Sequence, residues 1–295
     1  MEKKEYKKII NKLVKTIEKN GIPEKVKKWK KPELKYDFQT YEEFKKYLSK
    51  LAQSYDKHTF VKNQKAEAKY IKENKITAGE LRRDLEIKIL DNDILYIKFY
   101  IYINDHMRDW LKDQEKWVSK NKLKLDKLLK KDLKGIIIDL SDHYGGNMWP
   151  GVLALSDIYG DTTLFKFTSE RKWVNLKSGK DELGKLNNNP LKFNKPIGVI
   201  VSQKTSSSGE IIASTFKGRS NTFFLGDKTN RSSGYLSSNE GFFIDKEKNL
   251  NLILTVSFIE TVDEKVHTLE YLRAKKSQNP IKEAVSKIKK KERSK

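Results

Sequence analysis

Apolar residues change their spacing twice along this chain. Ile9, Ile10, Leu13, Val14 and Ile17 recur at helical intervals until Gly21-Ile22-Pro23 interrupts them, so a first helix is expected there. Thr40 with Glu43 three residues later makes a capping box. Tyr41, Phe44, Tyr47, Leu48 and Leu51 then form one apolar face of a second helix. From Leu85 the period drops to two, with Leu85, Ile87 and Ile89 alternating with charged residues. Asp91-Asn92 supplies a turn before Ile94 to Ile97, which predicts a β-hairpin. A long basic helix is expected over about 108–133, ending at Gly135 to Leu140, a short apolar run of the buried-strand type. Ile197 to Val201 is a second such run, followed by a serine-rich turn and a helix over 210–216. Two strand–turn–helix units imply an α/β core. Residues 162–195 are polar and irregular, as in a cap or lid, and a last helix opens at Pro280.

Composition narrows the function classes. The 295 residues are 37% hydrophobic, enough to fill a core, and contain no cysteine, which excludes disulfide frameworks, Cys-ligated metals and thiol nucleophiles. No apolar run approaches a membrane span, and Met1 to Tyr6 lacks the apolar core of a signal peptide. A soluble chain is expected as written, or an externally anchored one if an anchor lies outside this sequence. The net charge is +22, but only eight of the 62 basic residues are arginine, the side chain whose fork reads bases and phosphates. The expected consequence is attraction to anionic surfaces rather than a specific nucleic-acid site.

Three features carry candidate chemistry. His58, in Asp56-Lys57-His58-Thr59-Phe60, and His143, in Asp142-His143-Tyr144-Gly145-Gly146, both stand at the ends of elements, where sites collect. His106 and His267 lie in polar contexts, and no pair of histidines has metal-ligand spacing, so neither metal nor cofactor is expected. Thr205-Ser206-Ser207-Ser208-Gly209-Glu210 joins a buried strand to a helix N-terminus, where orphan N–H groups favour a developing oxyanion; the same residues also read as ordinary helix caps. Gly145-Gly146 follows another buried strand, the place where α/β sheets put ligands, and also reads as a tight turn.

The order of these pieces resembles the tail-specific (C-terminal-processing) serine protease superfamily, in its nisin-resistance-protein-like branch. The matching segments are Lys57 to Phe60, Gly135 to Met148, Thr205 to Glu210, Phe224-Leu225-Gly226, Gly234-Tyr235 and Ser237 to Asn239. The resemblance implies a helical N-terminal region over 1–56 and a ClpP/crotonase-like protease core over 57–295. Residues 162–195 would form a small cap, and no PDZ-like module precedes the core. It implies Ser207 as nucleophile, His58 as general base, an oxyanion hole of Gly145, Gly146 and Ser208, and a groove lined by Asn147, Met148, Trp149 and Tyr235. The implied substrate is the C-terminal part of a peptide or protein, with a lantibiotic as the specific expectation.

This sequence departs from the superfamily at three places. The lysine base of the better-known branch would fall at Ser232. The usual Asp-Leu-Arg-x-Asn reads Asp139-Leu140-Ser141-Asp142-His143, which makes His143 a second candidate base. The missing Arg and Asn also leave open a peptide-binding pseudoprotease.

Overall fold

A computed structural model describes residues 3–63, 81–90, 93–103, 110–159, 163–167, 172–175, 193–227, 237–261 and 274–293. The chain divides into two compact units. The first contains residues 1–76, 167–170 and 237–258, and the second the remainder, so the chain crosses between them five times.

In the first unit, α1 (Lys3–Asn20) buries Tyr6, Ile9, Ile10, Leu13, Val14 and Ile17 along one stripe. The short α2 (Pro23–Lys28) opens on a proline, whose fixed φ suits a first turn. The expected second helix is α3 (Tyr41–Tyr55), where Thr40 Oγ1 accepts from the Glu43 N–H at 3.1 Å. The Glu43 carboxylate reaches one residue further back than the capping box predicts, accepting from the Gln39 N–H at 3.0 Å. These helices pack on an antiparallel ribbon. In it β1 (Phe60–Asn63) pairs with β10 (Leu250–Thr261), and β10 with β9 (Ser237–Asp245). Phe38, Phe44 and Tyr6 meet at ring centroid distances of 4.6–5.3 Å, with Leu252 and Leu254 of β10 in the same core.

The second unit is an α/β layer built on a six-stranded sheet. The predicted hairpin is β2 (Glu86–Leu90) and β3 (Ile94–Lys98), in antiparallel register with Glu86 opposite Lys98. The strands β4 (Gly135–Asp139), β7 (Ile197–Val201), β8 (Thr222–Gly226) and β11 (Lys275–Lys276) continue in parallel from β3, giving the order β11-β8-β7-β4-β3-β2. Every residue of β4 and β7 is buried, as expected of central parallel strands covered on both faces. On one face the C-terminal helix over Pro280–Arg293 sets Ala284 and Ile288 against Ile94, Ile137, Ile200 and Leu225. The long helix α4 (Trp110–Leu129) packs on α5 (Trp149–Ala154). Gly151 of α5 leaves room for Ile212 of the helix Ser208–Ser214, since a Cβ there would stand 2.6 Å from Ile212 Cδ1.

The span 162–195, read as a cap, is described in the strands β5 (Thr163–Phe167) and β6 (Lys172–Asn175) and at 193–195; the rest lies outside the described residues. No helix among the described residues is long and apolar enough to cross a membrane.

Candidate active site

In the second unit, β4 and β7 are neighbours in register, with Asp139 opposite Ile200, so the turns that follow them emerge side by side. They are laced together. Leu140 N–H donates to Ile200 O at 2.9 Å, Thr205 Oγ1 to Leu140 O at 2.8 Å, and Ser202 Oγ to Ser141 O at 2.6 Å. Asp139 anchors the first turn, accepting from Tyr96 OH at 2.6 Å and from Ser141 N–H at 2.9 Å.

That first turn then bends through two glycines with positive φ, Gly145 at 124° and Gly146 at 100°. Both need to be glycine. A Cβ on Gly145 would lie 3.2 Å from Ser207 Cβ, and one on Gly146 would overlap the Tyr102 carbonyl oxygen, which accepts from Asn147 N–H at 2.7 Å. His143 lies under the turn at 2% exposure. Its Nδ1 accepts from Gly145 N–H at 3.3 Å and its carbonyl accepts from Ser206 N–H at 3.1 Å. Burial disfavours the imidazolium and pushes the His143 pKa down to about 4. The ring is therefore neutral at neutral pH, and an Nδ1 that accepts places its proton on Nε2.

The second turn distinguishes its three serines. Ser206 Oγ donates to Tyr144 O at 2.6 Å, and Ser208 is 2% exposed. Ser207 is exposed and has φ 52° and ψ −117°, a conformation that ordinarily costs a non-glycine residue about 1–3 kcal/mol. It caps α7 (Ser208–Ser214), and its N–H donates to the buried Glu210 carboxylate at 2.9 Å. The Ser208 N–H is then the first orphan donor of that helix. Gly146 N–H finds no acceptor among the described residues, whereas Gly145 N–H is taken by His143. Beside this turn, Lys98 and Lys204 flank Asp142 at 2.6 and 3.3 Å and hold its carboxyl below the usual range, and Tyr144 is 54% exposed.

His58 belongs to the first unit and is half-buried in the turn between α3 and β1. Its N–H donates to Asp56 Oδ1 at 2.9 Å; Thr255 Oγ1 reaches the same oxygen at 3.1 Å, and Lys25 pairs with the other. Burial opposes ionisation of Asp56. The hydrogen bonds and the Lys25 ammonium outweigh it and keep the carboxyl below its ordinary range. Tyr55, at the end of α3, accepts from Ile22 N–H at 2.6 Å and donates to Thr255 O at 3.3 Å; burial pushes its hydroxyl up to about 12.

The remaining expected site residues divide. Asn147 donates from its amide to Gln114 at 2.9 Å and accepts from Trp149 N–H at 3.0 Å, giving it a turn-holding part that its sequence context did not reveal. Met148 is 8% exposed, and Trp149 lies half-buried with its ring 6.2 Å from that of Phe165. Tyr235, Ser232, His106 and His267 lie outside the described residues. Glu210 was missed, although Ser207-x-x-Glu210 is itself a capping-box spacing. No three acidic or histidine side chains among the described residues converge as metal ligands.

Comparison with known proteins agrees with this geometry. A nisin-resistance protein of Lactococcus lactis subsp. lactis is 34% identical over 140 residues, covering 45% of this chain and 42% of that protein, so the match spans less than half of either. A solved lipoprotein structure from Streptococcus agalactiae shares the fold with a TM-score of 0.74 at 22% identity, over 98% of this chain and 97% of that one. The sequence profile of peptidase family S41 matches residues 94–264, more than half the chain and all of the paired turns. The chain belongs to peptidase family S41.

Proposed function

We propose that Ser207 is the nucleophile of an endopeptidase that cuts near the C-terminus of a peptide through an acyl-enzyme, with His58 as general base. The observation that carries this is the Ser207 backbone: an exposed hydroxyl at φ 52°, between one serine bonded to a carbonyl and another buried. Strain of this kind persists only where the surroundings over-determine it, and it clusters at reacting groups. In this reading a neutral His58 imidazole takes the hydroxyl proton as Oγ attacks the carbonyl carbon and later returns it to the leaving amine. The oxyanion would fall to the N–H groups of Gly146 and Ser208, with the dipole of α7 favouring the charge. Gly145 would contribute its φ rather than its N–H.

Intact-mass analysis after treatment with a fluorophosphonate tests the nucleophile. A single adduct that Ser207→Ala removes supports it. A folded wild type that takes no adduct supports instead a peptide-binding pseudoprotease.

The substrate proposed is a lantibiotic of the nisin type, on the likeness to the Lactococcus protein. Such peptides are cationic and the chain carries +22, so long-range repulsion should slow encounter and added salt should relieve it. kcat/KM for nisin is expected to rise with ionic strength, and for an acidic peptide of equal length to fall. The same charge supports attraction to anionic surfaces. In the first unit Lys8, Lys12, Lys15, Lys19 and Lys246 line a groove of about 840 Å³ with Phe242 and Phe243. None of these five ammonium groups has a carboxylate partner among the described residues.

A further inference from the structure

We propose that His143 is a positioning residue for the acyl-transfer step: through Nδ1 it holds the Gly145 N–H and so sets the Gly145–Gly146 peptide, leaving the Gly146 N–H as the oxyanion donor. This rests on the reading of Ser207 as nucleophile.

The geometry is specific to this side chain. Gly145 can donate to only one acceptor, and that acceptor is a ring nitrogen two residues back in the chain. The His143 carbonyl takes the N–H of Ser206, the residue before the nucleophile, so one residue fixes both turns. The imidazole also packs on the start of α7: a Cβ at Gly209 would stand 3.0 Å from Nδ1 and 2.8 Å from the His143 carbonyl oxygen. His143 thus touches the backbone on either side of Ser207, while Gly145 meets Ser207 itself. Its buried, neutral state makes Nδ1 a permanent acceptor at neutral pH. An imidazolium would present two donors and repel the Gly145 N–H.

This assigns the second candidate base a different part. With Nδ1 engaged by Gly145 and the ring buried, His143 orients the donor and does not shuttle the serine proton.

Side-chain geometry supplies the test. Asn places Oδ1 where His places Nδ1, whereas Gln places its amide where His has Nε2, and Phe fills the ring volume with no acceptor. The expected result is that His143→Phe and His143→Gln lose about 10²-fold in kcat, the scale of one oxyanion donor, with KM changed by less than about threefold. His143→Asn should recover most of that loss. Rates of fluorophosphonate labelling at Ser207 should follow the same order, because phosphonylation also develops charge on oxygen. If Asn proves as poor as Gln and Phe, or if all three match wild type, His143 only fills space and the proposal is overturned. Should His143→Phe fail to fold, the Asn and Gln pair carries the comparison. Wild type that is folded yet unlabelled at Ser207 would overturn the nucleophile reading, and this proposal with it. Wild type labelled at Ser207, with all three variants labelled equally fast, would overturn the His143 proposal alone.

Discussion

The turn that carries Ser207 and the turn that carries His58 are held by different physics. Around Ser207 most restraints are buried and run through the backbone: bonds between the turns after β4 and β7, an imidazole without charge, two glycines with positive φ, a non-glycine residue kept in a costly conformation, and the Glu210 carboxylate that accepts the Ser207 N–H. Around His58 the restraint is ionic, an Asp56 carboxylate gathering Lys25, the His58 N–H and the Thr255 hydroxyl in a half-buried turn. In the proposed reading, the attacking serine is the one fixed by strain and packing. The turn of the proposed base is fixed instead through the backbone N–H of His58, which donates to Asp56.

The largest test of this contrast is turnover. Ser207→Ala should reduce kcat by about 10⁴-fold or more, with Tm within about 2 °C of wild type. His58→Ala should be comparably damaging to kcat; a mild effect there would remove it from the base role.

Stability against pH should separate the two turns next. The His143 pKa is lowered on folding from about 6.5 to about 4, so the unfolded chain binds more protons between those values and stability falls as pH drops through that window. The loss is at most about 3 kcal/mol, and His143→Asn should flatten that part of the curve. Asp56 acts later. Its carboxyl is lowered on folding, so its contribution is complete above its unfolded pKa of about 4 and is lost as pH falls through the folded value. Urea melts of wild type, His143→Asn and Asp56→Asn at stepped pH would resolve the two stages; identical curves would show that the turns are not held differently.

The smallest effect is the most pointed. Ser207→Gly removes the penalty of a side chain at φ 52° and should raise stability by about 1 kcal/mol, whereas Ser207→Ala keeps it. No rise in calorimetric Tm for the glycine variant would mean that the strain is not stored there.

Much of this was legible beforehand where the interactions are local. The stripe of α1, the Thr40 cap, the β2–β3 hairpin and the two buried parallel strands all follow from spacing within about twenty residues. The β9–β10 ribbon was not anticipated, nor its joining of residues 237–258 to the N-terminal helices. The pairing of Phe60 with Ile253 spans about two thirds of the chain and leaves no periodic trace in a four-residue strand. At the site, the resemblance already singled out Ser207 within the serine cluster, whereas its positive φ and the burial of Ser208 are not written in the sequence. His143 read as a second candidate base at the end of an element, because hydropathy does not report that a polar ring lies beneath a glycine turn.

The outermost parallel strand has a consequence for behaviour at high concentration. β11 is only Lys275-Lys276, paired along two residues with β8 and exposed. A sheet edge this short, occupied by two ammonium groups, offers little template for a second molecule's strand. Colloidal stability on that side of the sheet is thus a local property of two residues. Replacing them with valine should promote association at high protein concentration even though the chain would still be strongly basic.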